Sequence, residues 1–472
     1  MPTKPFTFQI FTMSDTPIDP IPFADKAIKL DIVVVGHGIA GLVFAIDAKL
    51  RGHQVQILEK RPGLDDFGDV LALQASSLRS IKNGWPGFWD ELQSLSLGST
   101  LNLYRYDGTF LASPRIVSSD GLGFAVHRLD FHALLHQYAL KCGVIIQFSM
   151  EVDKYLESPN RGAVVLSNGV RIEADLIVAA DGVGSKSWDL VRNIKDQAVS
   201  SGYSVFRSNF PASPALENSP VLADEFQKSP TRGCAFMGPD THIVMSKSRH
   251  RLGFLMTHKD PGNLPDTVPI STVLPYVEGW SPVVTELIKA VPDGVVYDWK
   301  LRWRDPQPGW VSPLGRLVQI GDAAHAFLPT SGYGASMAME DAHSLVECLS
   351  HVEQQDIALA LRVHNCLRFE RTACAQKMGF KARELWHKTD WNSPIEDPTM
   401  FTRMWAPWLL QHDPEDYARK NFATCAQELR NGEQFQNSNS VPGYKFKMWT
   451  VRDLAESTND GLEDEGEWFA TE

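Results

Sequence analysis

The sequence predicts an α/β protein in which a domain with a parallel sheet contains an inserted, mainly antiparallel β lobe and is followed by a helical C-terminal part. Three observations support this fold class. A strand-helix-strand pattern begins at Leu30, short strands separated by prolines fill residues 201–310, and apolar residues at helical spacing dominate 335–386. The length of 472 residues is sufficient for several such units.

The first ordered element is expected after a loose N-terminal arm over residues 1–29. The β-branched run at 30–35 predicts a strand that ends at Gly36, and small and apolar residues at helical spacing predict a helix over 42–50. Residues 54–58 then alternate as a second strand. Together these elements predict a β-α-β unit at the start of the fold.

The elements that follow divide between this domain and the lobe. A helix over 130–141 and buried-type strands over 176–180 and 317–320 fit a parallel sheet, and Asn168-Gly169 is a strong hairpin signal. The lobe contains five short strands that favour antiparallel pairing: 203–210, 234–237, 242–246, 252–257 and 295–303. The predicted units are an N-terminal arm, the first domain, the β lobe, a completion of the first domain and a C-terminal extension with an acidic tail, at 1–29, 30–200, 201–310, 311–380 and 381–472.

Composition excludes several classes of protein. The net charge of −12 opposes nonspecific binding to nucleic acid, and residues 453–472 contain eight acidic residues and no Lys or Arg. The six cysteines are scattered without a CxxC pair, so neither a zinc site nor a disulfide framework is expected. The chain has neither a secretory signal pattern nor an apolar stretch of about 18 residues that could cross a membrane. The sequence therefore predicts a cytoplasmic protein without a metal, and it leaves the oligomeric state open.

A glycine-rich motif lies between the first predicted strand and its helix. Gly36, Gly38 and Gly41 form a G-x-G-x-x-G pattern, in which the glycines make the turn, admit a pyrophosphate and let the helix pack on the sheet. Glu59, 23 residues after Gly36, ends the second strand, where it can accept a ribose hydroxyl and would repel a 2′-phosphate. The motif therefore predicts a Rossmann-type site for FAD or NAD rather than NADP. The alternative is a glycine-rich turn without a ligand, and the side chain of His37 is expected to be solvated.

Two later strand ends carry carboxylates that fit the same ligand. Asp181 follows the strand over 176–180, and Asp322 follows the strand over 317–320. The carboxyl ends of strands in an open α/β sheet border the ligand crevice, so Asp322 can accept hydrogen bonds from a ribityl chain. The segment 329–334 opens a helix whose dipole would stabilise the negative charge of a reduced flavin. These features favour FAD as the tightly held cofactor.

This combination of motifs resembles the class A FAD-dependent flavoprotein monooxygenases, the aromatic hydroxylase family. The similar segments are the glycine motif with Glu59, His127-Arg128-Leu129-Asp130, the run 180–185, the run 321–325, and Pro329 with Gly332-x-Gly334. They span roughly residues 30–378, and the C-terminal half is similar to fungal members from secondary metabolism. The resemblance implies a Rossmann-type FAD-binding domain and a β-sheet substrate lobe.

The resemblance also implies a role for each matching residue. The residues implied to contact FAD, bound without a covalent link, are Gly36, Gly38, Gly41, Glu59, Arg128, Asp322, Pro329, Gly332, Tyr333 and Gly334. Asp181 would belong to the motif shared by FAD and a transient NADPH or NADH, and O2 would be the co-substrate. Trp188 departs from the family pattern because an Arg is usual there, and Lys186 is a candidate replacement for that charge. Tyr333 stands where Gln or Asn is common, and its ring could touch the substrate or simply pack.

The catalytic candidates lie on the first strand of the lobe. Relatives run this strand along the substrate, so the Arg207 guanidinium could stabilise negative charge on a substrate oxygen. The alternative for Arg207 is an interdomain or surface salt bridge. Tyr203 lies four residues earlier on the same face of the strand and is the second candidate, with packing as its alternative. His242 and His258 are interpreted as structural groups.

The predicted function is NAD(P)H-dependent monooxygenation, in which FAD activates O2 and one oxygen atom enters an aromatic or indole-like small molecule by hydroxylation or epoxidation. The alternatives on the same fold are a Baeyer–Villiger oxygenase and an oxidase. A non-catalytic nucleotide-binding protein is the alternative outside enzymes. No nucleic-acid partner is expected, and the sequence does not determine the identity of the substrate.

Overall fold

A computed structural model describes residues 29–64, 68–194, 198–227, 231–456 and 465–469 of the protein. Nearly all of the predicted N-terminal arm and much of the acidic tail therefore lie outside the described residues. The described chain combines helices with both parallel and antiparallel sheets, so the predicted mixed α/β class is confirmed.

The described residues form eighteen strands and fourteen α-helices. The strands are β1 (Asp31–Val35), β2 (Gln54–Leu58), β3 (Val70–Gln74), β4 (Asn102–Arg105), β5 (Phe110–Ala112), β6 (Gly123–His127), β7 (Ile145–Gln147), β8 (Val152–Glu157), β9 (Gly162–Leu166), β10 (Arg171–Ala174), β11 (Leu176–Ala179), β12 (Val199–Pro211), β13 (Arg232–Gly238), β14 (Thr241–Lys247), β15 (Arg251–Lys259), β16 (Thr267–Pro269), β17 (Val295–Trp303) and β18 (Leu317–Gln319). The helices are α1 (Ile39–Leu50), α2 (Ala75–Gly84), α3 (Phe88–Ser94), α4 (Arg128–Lys141), α5 (Trp188–Arg192), α6 (Ala212–Asn218), α7 (Pro220–Phe226), α8 (Ile270–Val273), α9 (Pro282–Lys289), α10 (Gly334–Leu349), α11 (Ile357–Lys388), α12 (Pro407–Leu410), α13 (Pro414–Asn431) and α14 (Val451–Glu456).

Five parallel strands form the central sheet in the order β18-β11-β1-β2-β7. Val33 and Val34 of β1 are fully buried, as expected for a parallel strand that is covered on both faces. Helix α1 connects β1 to β2, so the predicted β-α-β unit is confirmed. Because β1, β11 and β18 run in the same direction and are neighbours, Gly36, Asp181 and Asp322 follow strand ends at one edge of the sheet.

A second sheet of eight strands has the order β16-β17-β12-β15-β14-β13-β4-β5. Its strands from β12 to β17 pair antiparallel, as predicted. Strand β4 pairs in parallel with β13, and β5 pairs with β4, so residues 102–112, which were predicted to belong to the first domain, extend this lobe sheet. The sequence did not predict that extension. Helices α6 to α9 cover one face of the sheet and bury Phe206 and Phe254.

The opposite face of the lobe sheet points toward the first domain and the long helix α11. Side chains alternate along β12, so Tyr203, Val205, Arg207 and Asn209 share this face. Val205 packs in a cluster with Leu328 and Phe380. Arg207 and Asn209 reach residues 68–69, just before β3. Residues 68–69 and α11 therefore meet the eight-stranded sheet at the side chains that β12 presents.

Two small sheets and the C-terminal part complete the fold. Strands β3 and β6 form a two-stranded sheet, and β8, β9 and β10 form a three-stranded antiparallel sheet. Near the C-terminal end of the described chain, Trp468 is buried and packs against Tyr444 and Trp408. Among the residues that the structure describes, no helix is both long and apolar enough to cross a membrane.

Candidate active site

The glycine motif turns from β1 into α1 through a tightly packed backbone. Gly36 has a φ of +107°, and a Cβ on it would lie 2.3 Å from the carbonyl oxygen of Ala180. A Cβ on Gly41 would lie 2.1 Å from the carbonyl oxygen of Gly36. A Cβ on Gly38, in contrast, would meet no described protein atom within 4 Å, next to the N–H groups of the first turn of α1. This open approach to a helix N-terminus fits a pyrophosphate.

Glu59 braces the glycine loop from the end of β2. Its Oε2 accepts a hydrogen bond from the His37 N–H, and its Oε1 accepts one from the Arg61 N–H, each at 2.9 Å. A carboxylate can accept about four hydrogen bonds, so these two leave capacity for the predicted ribose contact. Glu59 therefore orients the loop and keeps acceptor capacity for the predicted ribose.

The side chain of His37 is buried, not solvated as expected. It is 4% exposed, and its Nε2 lies 3.0 Å from Nδ1 of His136. The rings of His132 and Phe148 pack edge-on against it, with centroids at 4.8 and 5.3 Å. Burial, and secondarily the neighbouring histidines, lower the pKa of His37 from 6.5 to about 3, so its imidazole is neutral. This cluster joins the loop to α4, a contact that no local sequence pattern reveals.

Asp322 and Arg128 lie in the same crevice. Both are exposed there, although protein encloses the Asp322 carboxylate on its other sides. This enclosure raises the pKa of Asp322, while the charges of His325 and Arg128 lower it. A Cβ on Gly321, next to Asp322, would lie 2.9 Å from Cβ of Ala40 in α1, so the glycine motif and the run 321–325 are in close contact. The structure thus brings together the glycine loop and the predicted ribityl-binding residue.

Asp341 of α10 fixes the loop that carries Asp322. Its Oδ2 accepts the Gly321 N–H at 3.0 Å and lies 2.5 Å from Nε2 of His325. Its Oδ1 accepts a hydrogen bond from Nε of Arg368 at 2.9 Å. Although burial opposes ionisation, His325 and Arg368 hold the pKa of Asp341 well below its usual range. Asp341 is therefore an ionised acceptor that positions the loop.

Glu340 extends this network into α11. Arg371 donates to its two carboxylate oxygens at 2.8 and 2.9 Å, and Arg368 donates to Oε2 at 2.5 Å. All three side chains are buried. The two guanidinium groups overcome the effect of burial and hold the pKa of Glu340 well below its usual range. Removing either partner would leave a buried charge without compensation.

The segment 329–334 leads into α10. Pro329 and Gly332 are exposed, and Gly332 has a φ of +63° at the turn. Gln74, at the end of β3, donates from Nε2 to the Gly332 carbonyl at 3.2 Å and from its N–H to Ser336 Oγ at 3.1 Å. The sequence did not single out Gln74, which braces the segment. At the end of the segment, Gly334 is the first residue of α10, whose initial N–H groups have no intrahelical acceptor.

The side chain of Tyr333 packs away from the crevice. It is fully buried, and its hydroxyl donates to the Met404 carbonyl at 2.7 Å. Of the two interpretations of this position, the structure therefore favours packing over a substrate contact. Only the backbone of Tyr333 remains a candidate for the cofactor.

Asp181 links the central sheet to the three-stranded sheet. Its Oδ2 accepts a hydrogen bond from the Tyr155 hydroxyl at 2.6 Å. Burial raises the pKa of Asp181, and hydrogen bonds from Ser185 and Tyr155 lower it. The carboxylate is thus held by Ser185 of the same motif and by Tyr155 of β8.

An arginine from a distant part of the sequence lies beside Trp188, which occupies the position where the family usually has an Arg. The guanidinium carbon of Arg304 lies 4.6 Å from the Trp188 ring centroid, and its Nη2 donates to the Val183 carbonyl at 2.9 Å. Lys186 instead pairs with Asp153 at 2.8 Å on the exposed surface. Arg304 rather than Lys186 therefore places a cation inside the Asp-Gly segment, and its distance along the sequence concealed this contact.

A small cavity, with room for about one water molecule, lies between the lobe sheet and the start of β3. It is lined by Asp69, Val70, Asn209, Val244, Ser246, Gly253, Phe254 and Leu255. Arg207 donates from Nη1 to Asp69 Oδ2 at 3.1 Å, and its guanidinium carbon lies 4.5 Å from the ring centroid of Trp299. Arg207 thus forms the interdomain salt bridge that was its alternative interpretation. Asp69, at the cavity itself, was not identified from the sequence.

Tyr203 lies farther along β12, beneath α11. The guanidinium carbon of Arg383 is 4.4 Å from its ring centroid, and Tyr203 is not among the residues that line the cavity. His258, on the other face of the sheet, is buried, stacks on Phe206 and contacts Asp298 at 3.1 Å, which fits the structural role expected for it.

The comparisons with known proteins identify the family. A family model described as an FAD binding domain matches residues 313–374. The FAD-dependent monooxygenase mdpD of Emericella nidulans is 31% identical, and the match covers 96% of this chain and 93% of that protein. This chain belongs to the FAD-dependent monooxygenases. The predicted family is confirmed, and this monooxygenase is an oxidoreductase.

Solved structures support the same assignment for this monooxygenase. The structure of native FqzB has a TM-score of 0.79 and 27% identity, with 90% of this chain and 99% of the FqzB chain covered. The structure of CtdE in complex with FAD and a substrate has a TM-score of 0.78 and 25% identity, with 85% of this chain and 100% of that chain covered.

The family model covers the part of this monooxygenase that contains Asp322, the segment 329–334 and the ion network of α10 and α11. The glycine loop lies outside that match but contacts it directly, through Gly321 and Ala40. In the described ranges, no group of three or more His, Cys, Asp or Glu side chains could hold a metal ion.

Proposed function

We propose that this monooxygenase uses NADPH or NADH and O2 to insert one oxygen atom into an aromatic or indole-like small molecule, by hydroxylation or epoxidation, in secondary metabolism. One observation carries the proposal: the crevice and the lobe cavity meet at Asp69. The Asp69 carbonyl accepts the N–H of Arg128 at 2.7 Å, and the Asp69 carboxylate pairs with Arg207 of the lobe. A cofactor in the crevice would therefore border the cavity.

FAD would be held noncovalently by residues at the carboxyl edge of the central sheet. The glycine loop would contact the pyrophosphate, Glu59 the ribose and Asp322 the ribityl chain, while the N-terminus of α10 would face the pyrimidine end of the flavin. The chemistry that FAD supplies when bound is acceptance of hydride from NAD(P)H and activation of O2.

The residues of the lobe would hold the substrate and exclude water. Val244 and Leu255 lie beside Arg207 on the same face of the sheet, and their apolar side chains favour the rings of an aromatic substrate. Arg207, held in place by Asp69 and Trp299, would stabilise negative charge that develops on a substrate oxygen. Tyr203 would then support the packing of β12 against α11 rather than touch the substrate.

Isotopically labelled O2 tests the reaction. FAD-loaded protein is supplied with NADPH or NADH and a panel of phenols, indoles and aryl ketones, and the products are analysed by mass spectrometry. The proposal expects one labelled oxygen atom per product molecule. An oxidised product without label would indicate an oxidase, a labelled ester formed from a ketone would indicate a Baeyer–Villiger oxygenase, and an absence of NAD(P)H consumption would indicate a non-catalytic protein.

Substitution of Arg207 tests its catalytic role in the same assay. Arg207→Ala should retain FAD but lose about 10²–10³ in the rate of product formation, the usual cost of one preorganised donor. Arg207→Lys should restore only part of the rate because it lacks the planar fork. The matched control is Arg171→Ala, which removes an exposed arginine paired with Glu173. A wild-type rate and product yield in Arg207→Ala would reduce Arg207 to an interdomain salt bridge.

A further inference from the structure

Three large apolar side chains are exposed near the start of β17. Val295, Tyr297 and Trp299, here called the β17 strip, occupy alternate positions and so share one face of the sheet. They are 47%, 50% and 54% exposed. All thirteen tryptophans lie in the described ranges, and Trp299 is the only one that is exposed rather than buried or half-buried. A contiguous exposed apolar strip of this kind marks a binding surface.

The β17 strip lies on the face of the eight-stranded sheet that carries Arg207. In the pairing of β17 with β12, Tyr297 lies opposite Arg207 and Trp299 lies opposite Val205. The guanidinium carbon of Arg207 is 4.5 Å from the Trp299 ring centroid, so the two side chains are in contact. Side chains directly opposite on neighbouring strands are about 5 Å apart, which places the strip within reach of a molecule bound at Arg207.

Trp299 is also connected to the segment that is proposed to face the flavin. Its cross-strand neighbour Val205 packs in one cluster with Leu328, the residue before Pro329. The indole therefore lies beside the guanidinium of Arg207 and, through Val205, close to the segment 329–334. These are the two groups between which the proposed function places the substrate.

The size of the β17 strip favours a small aromatic ligand over a macromolecule. A stable protein interface needs about 800 Å² and roughly 20–30 residues from each partner, far more than three side chains. On the other side of Arg207, Leu255 and then Val244 continue the row across the sheet with half-buried aliphatic side chains. A planar ring at Arg207 would thus meet aliphatic groups on one side and the indole of Trp299 on the other, and aromatic rings attract each other beyond the effect of buried area.

We propose that Trp299 is a specificity-determining residue whose indole stacks on the substrate and thereby selects aromatic over saturated ring systems. This inference rests on the proposed function, because it concerns the substrate of the same site. Removal of the indole should weaken the binding of a planar aromatic molecule but not that of its saturated counterpart, which cannot stack.

Calorimetric titration of FAD-loaded protein with 1-naphthol and decahydro-1-naphthol, without NAD(P)H, tests the inference. The two probes have the same carbon skeleton and hydroxyl group, and only the first is aromatic. The wild-type protein should bind 1-naphthol about tenfold more tightly than the saturated probe. Trp299→Leu keeps an apolar side chain without a ring. It should bind 1-naphthol about tenfold more weakly than the wild type does, and the saturated probe within about twofold of the wild type. Trp299→Phe should retain part of the preference.

A matched control and a second variant separate stacking from a general disturbance. Phe110→Leu removes a similarly exposed aromatic side chain from β5, at the opposite end of the same sheet, and should leave both affinities unchanged. Flavin absorbance and thermal unfolding verify that each variant is loaded and folded. If Trp299→Leu does not fold, Trp299→Gln provides the test, with the same expected loss for 1-naphthol.

Several results would overturn the role of Trp299. They are equal wild-type affinities for the two probes, no binding of 1-naphthol, and an affinity for 1-naphthol that is unchanged in the Trp299 variant or falls as far in Phe110→Leu. A similar loss for both probes would show that Trp299 acts only by holding Arg207. A wild-type dimer that dissociates in the Trp299 variant, detected by sedimentation, would assign the β17 strip to a second copy of the chain.

Each of these results would leave the proposed function intact, because labelled oxygen incorporation tests that function separately. Wild-type protein that shows the expected preference for 1-naphthol but transfers no oxygen to any member of the substrate panel would contradict the proposed function alone.

Discussion

At the scale of single residues, Glu59 combines an observed structural role with a proposed ligand role. Glu59 accepts two backbone N–H groups from the glycine loop and the following turn, at 2.9 Å each, while its strand-end position suits a ribose. If Glu59 binds the ribose as proposed, the effect of substituting it includes both the lost ligand contact and the freed loop. A stability measurement without cofactor separates the two contributions.

Glu59→Ala should weaken FAD binding by about 1–3 kcal/mol, because hydroxyl and N–H donors lose a charged acceptor. Flavin fluorescence during titration of apoprotein measures the dissociation constant. Glu173→Ala is the control, since Glu173 is exposed and pairs only with Arg171 among the ion pairs described for it. An unchanged dissociation constant in Glu59→Ala would mean that Glu59 does not hold the ribose.

His37, in the glycine loop, makes the free energy of unfolding depend on pH. Its pKa of about 3 in the folded protein lies below the ordinary 6.5, so the unfolded chain binds a proton first as the pH falls. The stability that His37 contributes is complete above about pH 6.5 and is lost progressively toward pH 3. At pH 5 the loss amounts to about 2 kcal/mol. His37→Ala should therefore reduce the loss of unfolding free energy between pH 7.5 and 5 by about that amount.

Denaturant unfolding at the two pH values checks this expectation. The control is His250→Ala, because His250 is exposed in the lobe. Other buried histidines, such as His53 and His127, with pKa values lowered by burial to about 4, will still destabilise the variant in acid. An identical pH dependence in wild type and His37→Ala would show that the cluster of His37, His132 and His136 does not keep His37 neutral.

At the scale of elements, helices α10 and α11 support the candidate site through the buried ion network that they share. Glu340→Gln should lower the free energy of unfolding by about 3–5 kcal/mol, because it leaves Arg368 and Arg371 buried with one compensating charge fewer. Chemical denaturation measures the change. Glu353→Gln, at an exposed position before α11, should change stability by less than about 0.5 kcal/mol. A similarly small effect in Glu340→Gln would contradict a structural role for the network.

The elements that the sequence predicted are those with a strong local pattern. Strands β1, β2 and β11 and the glycine turn were predicted because β-branched runs, alternation and glycine spacing are local signals. Strands β4 and β5 were missed as part of the lobe sheet, because the parallel pairing of β4 with β13 joins segments about 130 residues apart. Helix α9 was missed because a polar, proline-rich stretch conceals its short apolar face.

At the scale of the whole molecule, the candidate site lies where residues 68–69, just before β3, meet β12 of the eight-stranded sheet. Backbone positions such as Gly36 and strand-end carboxylates such as Asp322 could be predicted because a motif fixes them. Asp69 and Arg304 could not, since each acts through a partner that only the tertiary fold supplies: Arg207 for the first and Trp188 for the second. The same reason explains why the sequence left open whether Arg207 is catalytic or forms a salt bridge.

The claim on which the account depends is that the crevice at the ends of β1 and β18 holds FAD, with Asp322 as a direct contact. The ratio of flavin to protein absorbance in purified Asp322→Ala, beside Asp224→Ala at an exposed position in the lobe, tests it most directly. The account predicts close to one releasable FAD per chain in the wild type and in Asp224→Ala, and a large loss in Asp322→Ala. A full complement of FAD and full activity in Asp322→Ala would contradict it.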